Sequence, residues 1–232
     1  MGGLETDPAR GEVTGPMLAL SFSGRTPLRS ILCLGAHSDD IEIGCGGTVL
    51  TLLKSHPEIH VTWVVLAGQG ERGVEARQSA ELFLQSAGAK RVVVREFRDG
   101  YFPHQSAEIK DYFETLKRET SPDLVFTHAR NDLHQDHRVV CELTWNTFRN
   151  HFVLEYEIPK YDGDLGTPNC FVPLTEETVA RKIEILMSVF ASQRNKHWFT
   201  GEMFRSILRL RGMECAHPGY AEAFVARKLT LG

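Results

Sequence analysis

The 232-residue sequence predicts a single α/β domain in which a mostly parallel β-sheet carries helices on both faces. Short apolar runs alternate with amphipathic helical patterns between residues 30 and 150. Residues that interrupt regular structure separate these elements, as Ser121 and Pro122 do before one apolar run. A crossover between parallel strands usually contains a helix, so this alternation favours a parallel sheet.

Each element follows from its residue pattern. Short, almost continuous apolar runs are typical of strands buried on both faces, and they occur at 30–35, 59–67, 91–95 and 123–127. Apolar residues recur with helical spacing over 41–55, 73–88, 106–119, 137–150, 175–192 and 200–212. Residues 156–173 are rich in proline and glycine, which predicts a long functional loop.

Composition also indicates where the folded domain begins. Residues 1–29 are rich in Gly, Pro, Arg and Ser, so we expect a flexible leader with one candidate edge strand at 17–22. No internal repeat or linker interrupts the remainder. The sequence therefore predicts one folded domain over residues 30–232.

Composition excludes several classes of protein. A net charge of -4 gives no support for a nucleic-acid partner or an anionic membrane surface, and no apolar stretch is long enough to span a bilayer. The five cysteines are scattered without CxxC spacing, which argues against a disulfide framework or a thiolate zinc site. The acidic first residues are no secretion signal. We expect a reduced, cytoplasmic protein, and an oligomer is compatible with this composition.

The first candidate site is Ala36-His37-Ser38-Asp39-Asp40-Ile41-Glu42, which directly follows the first predicted strand. His37 and Asp40 lie three residues apart, so at a strand-to-helix corner they can point to one side and ligate a metal such as zinc. Asp39 is then free to act as a general base. Helix capping by Ser38 or Asp39 would explain one of these residues, but not a histidine followed by two aspartates.

The second candidate site is His134-Gln135-Asp136-His137, which follows the last of the four predicted strands. Because the carboxyl ends of parallel strands meet at one edge of a sheet, we expect both motifs to lie together there. One of these two histidines can complete the set of three metal ligands, and the other can face the substrate. The spacing alone does not decide which histidine does which.

A glycine-rich loop offers a different function. Gly68-Gln69-Gly70-Glu71-Arg72-Gly73 matches the GxGxxG pattern after a strand, and Glu96 follows where a ribose-binding acid would lie. An NAD-dependent oxidoreductase is therefore an alternative. Glu71 argues against it, because a negative charge would lie where the pyrophosphate binds. The loop also follows the second predicted strand and not the first.

The two motifs together resemble the signature of the LmbE-like, or PIG-L, zinc-dependent N-deacetylases, and the similarity in element order runs from about Ile31 to Val225. This resemblance implies a Rossmann-like domain whose Zn²⁺ is held by His37, Asp40 and His137. Iron(II) also accepts two histidines and a carboxylate, so the ligand types do not fix the metal.

The resemblance also implies catalytic roles. Asp39 would be the general base, His134 would stabilise the oxyanion or act as an acid, and Asp136 would orient His134. Glu42 matches the last position of the first motif and would support the site. The sequence departs from the family pattern at Ser38, where proline is usual, and at Phe190, where a histidine often begins a His-x-Ser-Gln segment.

The expected function is hydrolysis of an N-acyl group, with N-acetyl favoured, from an amino-sugar-containing small molecule or glycoconjugate. Arg72 and Asp99 follow neighbouring predicted strands and are candidates for substrate binding. An amidase acting on a non-sugar amide is the alternative within hydrolases. A non-catalytic glycan-binding relative would require loss of the metal ligands, and those residues are present.

Overall fold

A computed structural model describes residues 27–216 and 218–230. Within this part of the chain, a seven-stranded sheet packs between two layers of helices. The strands are β1 Ser30–His37, β2 His60–Ala67, β3 Ala89–Val94, β4 Leu124–His128, β5 Phe152–Tyr156, β6 Cys170–Leu174 and β7 Tyr220–Ala226. The α-helices are α1 Asp40–Ser55, α2 Glu71–Phe83, α3 Ser106–Glu119, α4 Gln135–Thr147, α5 Glu176–Val189 and α6 Gly201–Glu214.

The strand order is β3-β2-β1-β4-β5-β7-β6. Strands β1 to β5 pair in parallel, whereas β7 runs antiparallel to both β5 and β6. The predicted mostly parallel α/β sheet is confirmed. From β1 the chain first adds strands on one side and then returns to add β4 on the other. A crevice for ligands is expected at this reversal, between the carboxyl ends of β1 and β4.

Side-chain alternation along the central strands creates two cores. Ile31 and Cys33 of β1 face one layer, formed by α1, α2, α5 and α6, whereas Leu32 and Leu34 face the layer formed by α3 and α4. Because both faces of β1 are covered, its sequence is apolar throughout and not alternating. This explains why the strand could be predicted from a continuous apolar run.

Three strands at one side of the sheet were not predicted. β5 and β7 were not recognised as strands, and β6 lies within the stretch 156–173 that was expected to be a loop. Pro173 argued against a strand, but β6 is the edge strand of the sheet, where a residue without an N–H group is tolerated. The irregular segment is therefore shorter than predicted and covers residues 157–169.

Two further boundaries differ from prediction. Helix α2 ends at Phe83 and not at Gly88, the last residue of the predicted helical pattern. The backbone at Gly88 lies close to the turn at Pro57, whose carbonyl oxygen would be 2.8 Å from a Cβ at this position. Leu28 was assigned to the leader, yet it is 2% exposed and packs in the core. The candidate edge strand at 17–22 lies outside the described residues. None of the helices in the described chain is long and apolar enough to cross a lipid bilayer.

Gly44 in α1 is predicted to be essential for stability, because a Cβ at this position would overlap the ring of Tyr156. That ring cannot easily move, since its hydroxyl donates a 2.6 Å hydrogen bond to the carbonyl of Leu34. We expect Gly44→Ala to lower the free energy of unfolding by about 1–3 kcal/mol, measured by urea denaturation. Gly166→Ala is the control, because a Cβ there meets no atom within 4 Å. Equal denaturation midpoints for both variants would contradict this account.

Candidate active site

Both sequence motifs lie at the carboxyl ends of adjacent parallel strands. β1 ends at His37 and leads into α1, whereas β4 ends at His128 and a short loop leads into α4. Between them is a cavity of about 240 Å³. Its wall includes His37, Asp39, Asp40, Arg72, His134 and His137. The fold thus brings the residues of the two motifs together, although about a hundred positions separate them in the chain.

His37, Asp40 and His137 form a compact set of possible metal ligands. His37 Nδ1 lies 3.1 Å from His137 Nε2 and 3.3 Å from Asp40 Oδ2, and His137 Nε2 lies 3.5 Å from Asp40 Oδ1. Ligands at zinc-bond lengths on a tetrahedron are separated by about 3.3 Å. These residues, two imidazoles and one carboxylate, therefore fit a divalent metal in both chemistry and spacing.

The electrostatics of this set favour a bound positive charge. Burial would raise the pKa of Asp40, but His137, His128 and His37 hold that pKa well below its ordinary value. Burial lowers the pKa of both His37 and His137. The charge of Asp40 and hydrogen bonds from each ring to nearby carboxylates together more than offset this, so both pKa values are raised. The ionised carboxylate of Asp40 thus lies between the two imidazoles, where it can balance the charge of a bound cation.

His128 packs against the possible metal ligands from the interior of the protein. It is fully buried, its ring stacks on His137 with centroids 3.9 Å apart, and its Nε2 lies 3.3 Å from Asp40 Oδ2. Burial and the charge of His137 lower the pKa of His128 to about 4, so the ring is neutral near pH 7. Its Nε2 could also reach a metal held by Asp40 and His137. The burial and stacking of the His128 ring are those of a structural residue.

Each metal-site histidine is held by a carboxylate on its other nitrogen. Asp132 Oδ2 lies 2.9 Å from His137 Nδ1, and Asp136 Oδ2 lies 3.2 Å from His37 Nε2. Asp136 also accepts hydrogen bonds from the backbone N–H groups of Gly100 and Phe102, at 2.7 and 3.1 Å. Such carboxylates fix the orientation of ligand histidines. Asp136 was expected to orient His134, but its side chain instead contacts His37.

His134 is oriented by the backbone. It is the N-cap residue of α4, and its Nδ1 accepts a hydrogen bond from the N–H of Asp136 at 3.2 Å. Burial, together with the charges of His137 and His37, lowers the pKa of His134. In the neutral ring the proton must then lie on Nε2, because Nδ1 is the acceptor. His134 lines the cavity, so it can offer this N–H to a ligand.

Asp39 occupies the N-cap position of α1, but its side chain makes no capping hydrogen bond. Its Oδ1 instead lies 3.0 Å from Arg72 Nη2 in the cavity wall. Burial raises the pKa of Asp39, and the guanidinium of Arg72 opposes that rise. The capping explanation for this aspartate is therefore wrong. Its carboxylate is available beside the possible metal site.

Arg72 and Asp99 lie together at the same wall. Arg72 Nη1 is 3.4 Å from Asp99 Oδ2, and Asp99 Oδ1 is 3.0 Å from His37 Nε2. A hydrogen bond from His37 is the main reason why the pKa of Asp99 falls to about 2. The Asp99 side chain is 55% exposed, so it can also contact a ligand. Arg72 thus bridges Asp39 and Asp99, a link that the sequence did not predict.

Glu42, the last residue of the first motif, lies outside the cavity wall. It is fully buried, and burial raises its pKa well above the ordinary value. Its two carboxyl oxygens are buried without a hydrogen-bond partner in the described part of the chain, and Glu42 is not part of the cavity wall.

Packing explains the glycine-rich loop between β2 and α2. A Cβ on Gly73 would overlap the carbonyl of Gly68, and a Cβ on Gly68 would overlap Val94. Gly70 has a φ of 59°, in the left-handed region that favours glycine. These glycines make the turn that brings Arg72 to Asp39. The dinucleotide alternative gains no support from this geometry.

The rim of the cavity contains residues that sequence reasoning did not assign to the site. Lys160 and Tyr161 come from the 157–169 segment, whereas Lys196 and Trp198 precede α6. The segment's irregular composition had predicted a site-lining loop, but it gave no signal for individual residues. Trp198 lines the cavity and also packs against the hydrophobic core.

The segment that departs from the family pattern at Phe190 has a structural role here. Phe190 is fully buried in the core. The backbone N–H and the hydroxyl of Ser192 donate to the two oxygens of Glu75, at 2.8 and 2.6 Å. These contacts fix the short 3₁₀ turn Ala191–Gln193 against α2.

A comparison with protein-family models shows to which family the chain belongs. Residues 32–148, about half of the chain, match the family model described as PIG-L, GlcNAc-PI de-N-acetylase. The chain belongs to the PIG-L family. The matched region contains both motifs, and it supports an enzyme of the amide-hydrolysing, deacetylase type. The resemblance predicted from the motifs is thus confirmed.

Individual relatives agree with this assignment. The uncharacterized deacetylase YaiS of Escherichia coli K12 is 26% identical over 145 residues, which cover 60% of this chain and 78% of that protein. The N,N'-diacetylchitobiose deacetylase of Pyrococcus horikoshii, solved with an inhibitor, has a similar fold. Its TM-score is 0.66 at 23% identity, covering 85% of this chain and 83% of that one.

The fold is not restricted to deacetylases. GalB from Pseudomonas putida KT2440, a 4-carboxy-2-hydroxymuconate hydratase, matches with a TM-score of 0.68 at 16% identity, covering 88% of this chain and 98% of that one. Since a hydratase shares the fold, the architecture alone does not define the reaction. The reaction depends on which residues line the site and how they are arranged.

Proposed function

We propose that this protein is a zinc-dependent N-deacetylase that hydrolyses the N-acetyl group of an amino sugar or of a molecule containing one. The observation that carries the proposal is the position of Asp39. Its buried carboxylate makes no capping bond and lies beside the His37, Asp40 and His137 set. A carboxylate that lies next to a hydrolytic metal site without being one of its ligands is the arrangement that general-base amide hydrolysis requires.

His37, Asp40 and His137 would hold the metal. When bound, zinc would polarise the amide carbonyl and make water more acidic. Asp136 and Asp132 keep the two imidazoles in place through their second nitrogens. Three protein ligands are typical of catalytic zinc sites, in which one position stays open.

Asp39 would transfer the proton. It removes a proton from the attacking water while the water oxygen forms a bond to the carbonyl carbon. When the carbon–nitrogen bond breaks, Asp39 returns the proton to the leaving nitrogen, so the products are acetate and a free amine. Burial raises the pKa of Asp39, which makes it a better proton acceptor, and Arg72 holds the carboxylate in position.

His134 would stabilise the oxyanion. Its Nδ1 is engaged by the backbone, so the neutral ring carries its proton on Nε2. A donor positioned in advance stabilises the negative charge that develops on the carbonyl oxygen. The lowered pKa of His134 keeps the ring neutral and preserves this role.

The cavity rim supports a sugar substrate. Trp198 and Tyr161 offer apolar ring surface, and Asp99 and Arg72 offer polar groups for hydroxyls. The Pyrococcus neighbour, by its name, acts on an acetylated amino sugar. The alternative within the same chemistry is an amidase for non-sugar amides, which would not need this combination of aromatic and charged groups.

An amine-release assay tests the proposed function. Purified protein with zinc is incubated with N-acetylglucosamine, N,N'-diacetylchitobiose and, as a non-sugar amide, an N-acetylated amino acid. We expect free amine only from the sugars, with equal amounts of acetate. Release from the amino acid alone would favour the amidase, and a lack of release from all three would contradict this substrate class.

A further inference from the structure

Lys160, in the segment 157–169, makes a set of contacts that the proposed reaction does not use. Its Nζ lies 2.9 Å from Asp132 Oδ2 and 2.6 Å from Asp164 Oδ2. We propose that the Lys160–Asp164 ion pair positions His134 and His137 for catalysis by holding Asp132 and the loop around it. Lys160 is thus a positioning residue. This inference rests on the proposed function, because it assigns the alignment of that same site.

The contacts form a continuous chain from the rim to the catalytic histidines. Asp132 Oδ2, which contacts Lys160, also contacts His137 Nδ1 at 2.9 Å. Its other oxygen, Oδ1, accepts the backbone N–H of His134 at 2.8 Å. A second link comes from Asp164, whose Oδ2 accepts the N–H of Leu133 at 2.6 Å. Lys160 and its two carboxylate partners are thus linked to Leu133, His134 and His137.

Burial makes these contacts strong. The side chains of Lys160, Asp132 and Asp164 are only 10%, 2% and 5% exposed, so two carboxylates share one ammonium away from bulk water. Without that ammonium, the two negative groups would repel each other across the same small volume. We expect Asp132 and Asp164 to move apart, which would release Leu133 and His134 together.

The segment that carries Lys160 is fixed at its ends. Arg211, 4% exposed, bonds both oxygens of Glu157 at 2.7 and 2.6 Å and also the carbonyl of Gly166 at 3.2 Å. Between these anchors, Tyr161 and Asp162 face the cavity. The same short segment therefore contacts the space for substrate and aligns the catalytic histidines.

Lys160→Met tests the proposal, because it removes the charge while keeping a side chain of similar length. We expect kcat to fall about 10–100-fold with KM changed less than about threefold, since misplaced catalytic groups slow the reaction more than they weaken binding. Lys160→Arg should restore most of kcat, because it keeps the positive charge. Lys54→Met is the control, because it breaks an exposed ion pair with Glu177.

Amide hydrogen exchange provides a readout that does not depend on activity. The N–H groups of Leu133 and His134 should lose protection in Lys160→Met and keep it in Lys160→Arg and Lys54→Met. If Lys160→Met does not fold, Asp164→Asn tests the same ion pair and should show the same loss of kcat and protection. Unchanged kcat with unchanged exchange, or a rise in KM alone, would overturn the proposal. If the wild type releases no amine, the substrate assignment fails, and the exchange result alone decides whether Lys160 holds the loop.

Discussion

Asp39→Asn is expected to lower turnover by about 10²–10⁴-fold while the protein keeps its metal and its fold. The amide is nearly the same size as the carboxylate, so packing in the cavity wall changes little. It cannot accept a proton near neutral pH, and its interaction with Arg72 loses charge but keeps an oxygen acceptor. Turnover, zinc content and thermal unfolding are measured on the same preparation.

The control for this variant is Asp111→Asn, an exposed aspartate of α3. It makes the same chemical change far from the cavity and should leave turnover unchanged. Retained activity in Asp39→Asn would remove Asp39 from the proton-transfer role. Loss of zinc in that variant would instead make Asp39 a metal ligand.

The two motifs could be predicted because their residues are close in sequence and have few structural explanations. His37, Asp39 and Asp40 belong to one turn, and His134 and His137 belong to another. Their meeting required one topological rule, namely that parallel strands end at the same edge of a sheet. The rule could be applied from sequence because almost continuous apolar runs identify β1, β2 and β4 as buried parallel strands.

Other site residues gave no such signal. Asp132 is one of several aspartates near the second motif, and only the folded structure shows that its two oxygens contact His137 and His134. The contact between Lys160 and Asp132 joins segments that are distant in sequence, so no local spacing indicates it. The same limit explains the error at Asp136, whose carboxylate turns toward β1 and not toward its neighbour His134.

The missed strands have a related cause. β7 pairs antiparallel with both β5 and β6, and burial decreases toward β6 at the edge of the sheet. β6 is a short strand that is only partly buried along most of its length, and Pro173 interrupts its apolar sequence. Antiparallel strands near an edge depend more on their pairing partner than on their own hydrophobicity.

Charge separates the roles of the adjacent aspartates. Asp39 lies next to one guanidinium, whereas Asp40 lies among three histidines that keep it ionised. A carboxylate with a raised pKa suits proton transfer, and one with a lowered pKa suits metal binding, because a ligand must stay deprotonated. Their surroundings thus suit these two neighbouring aspartates to the different functions proposed for them.

Asp40→Asn is expected to weaken zinc binding by more than about 100-fold and to abolish activity at low zinc concentration. Replacing a group that only supports a ligand typically costs about 10–100-fold in metal affinity, so loss of the ligand charge itself should cost more. Zinc content after dialysis against a competing chelator measures the effect. Activity should return in part when excess zinc is added.

His134→Asn is the matched comparison, because His134 could also reach a metal together with His37 and His137. If His134 is the oxyanion donor, this variant should keep its zinc and lose turnover. If Asp40→Asn instead stays fully loaded while His134→Asn is empty, the metal is held by three histidines and the ligand set proposed here is wrong. The distances favour Asp40, whose oxygens lie 3.3 and 3.5 Å from the two ligand nitrogens. His134 already uses Nδ1 to accept the N–H of Asp136, so the neutral ring carries its proton on Nε2, as the proposed oxyanion donor requires.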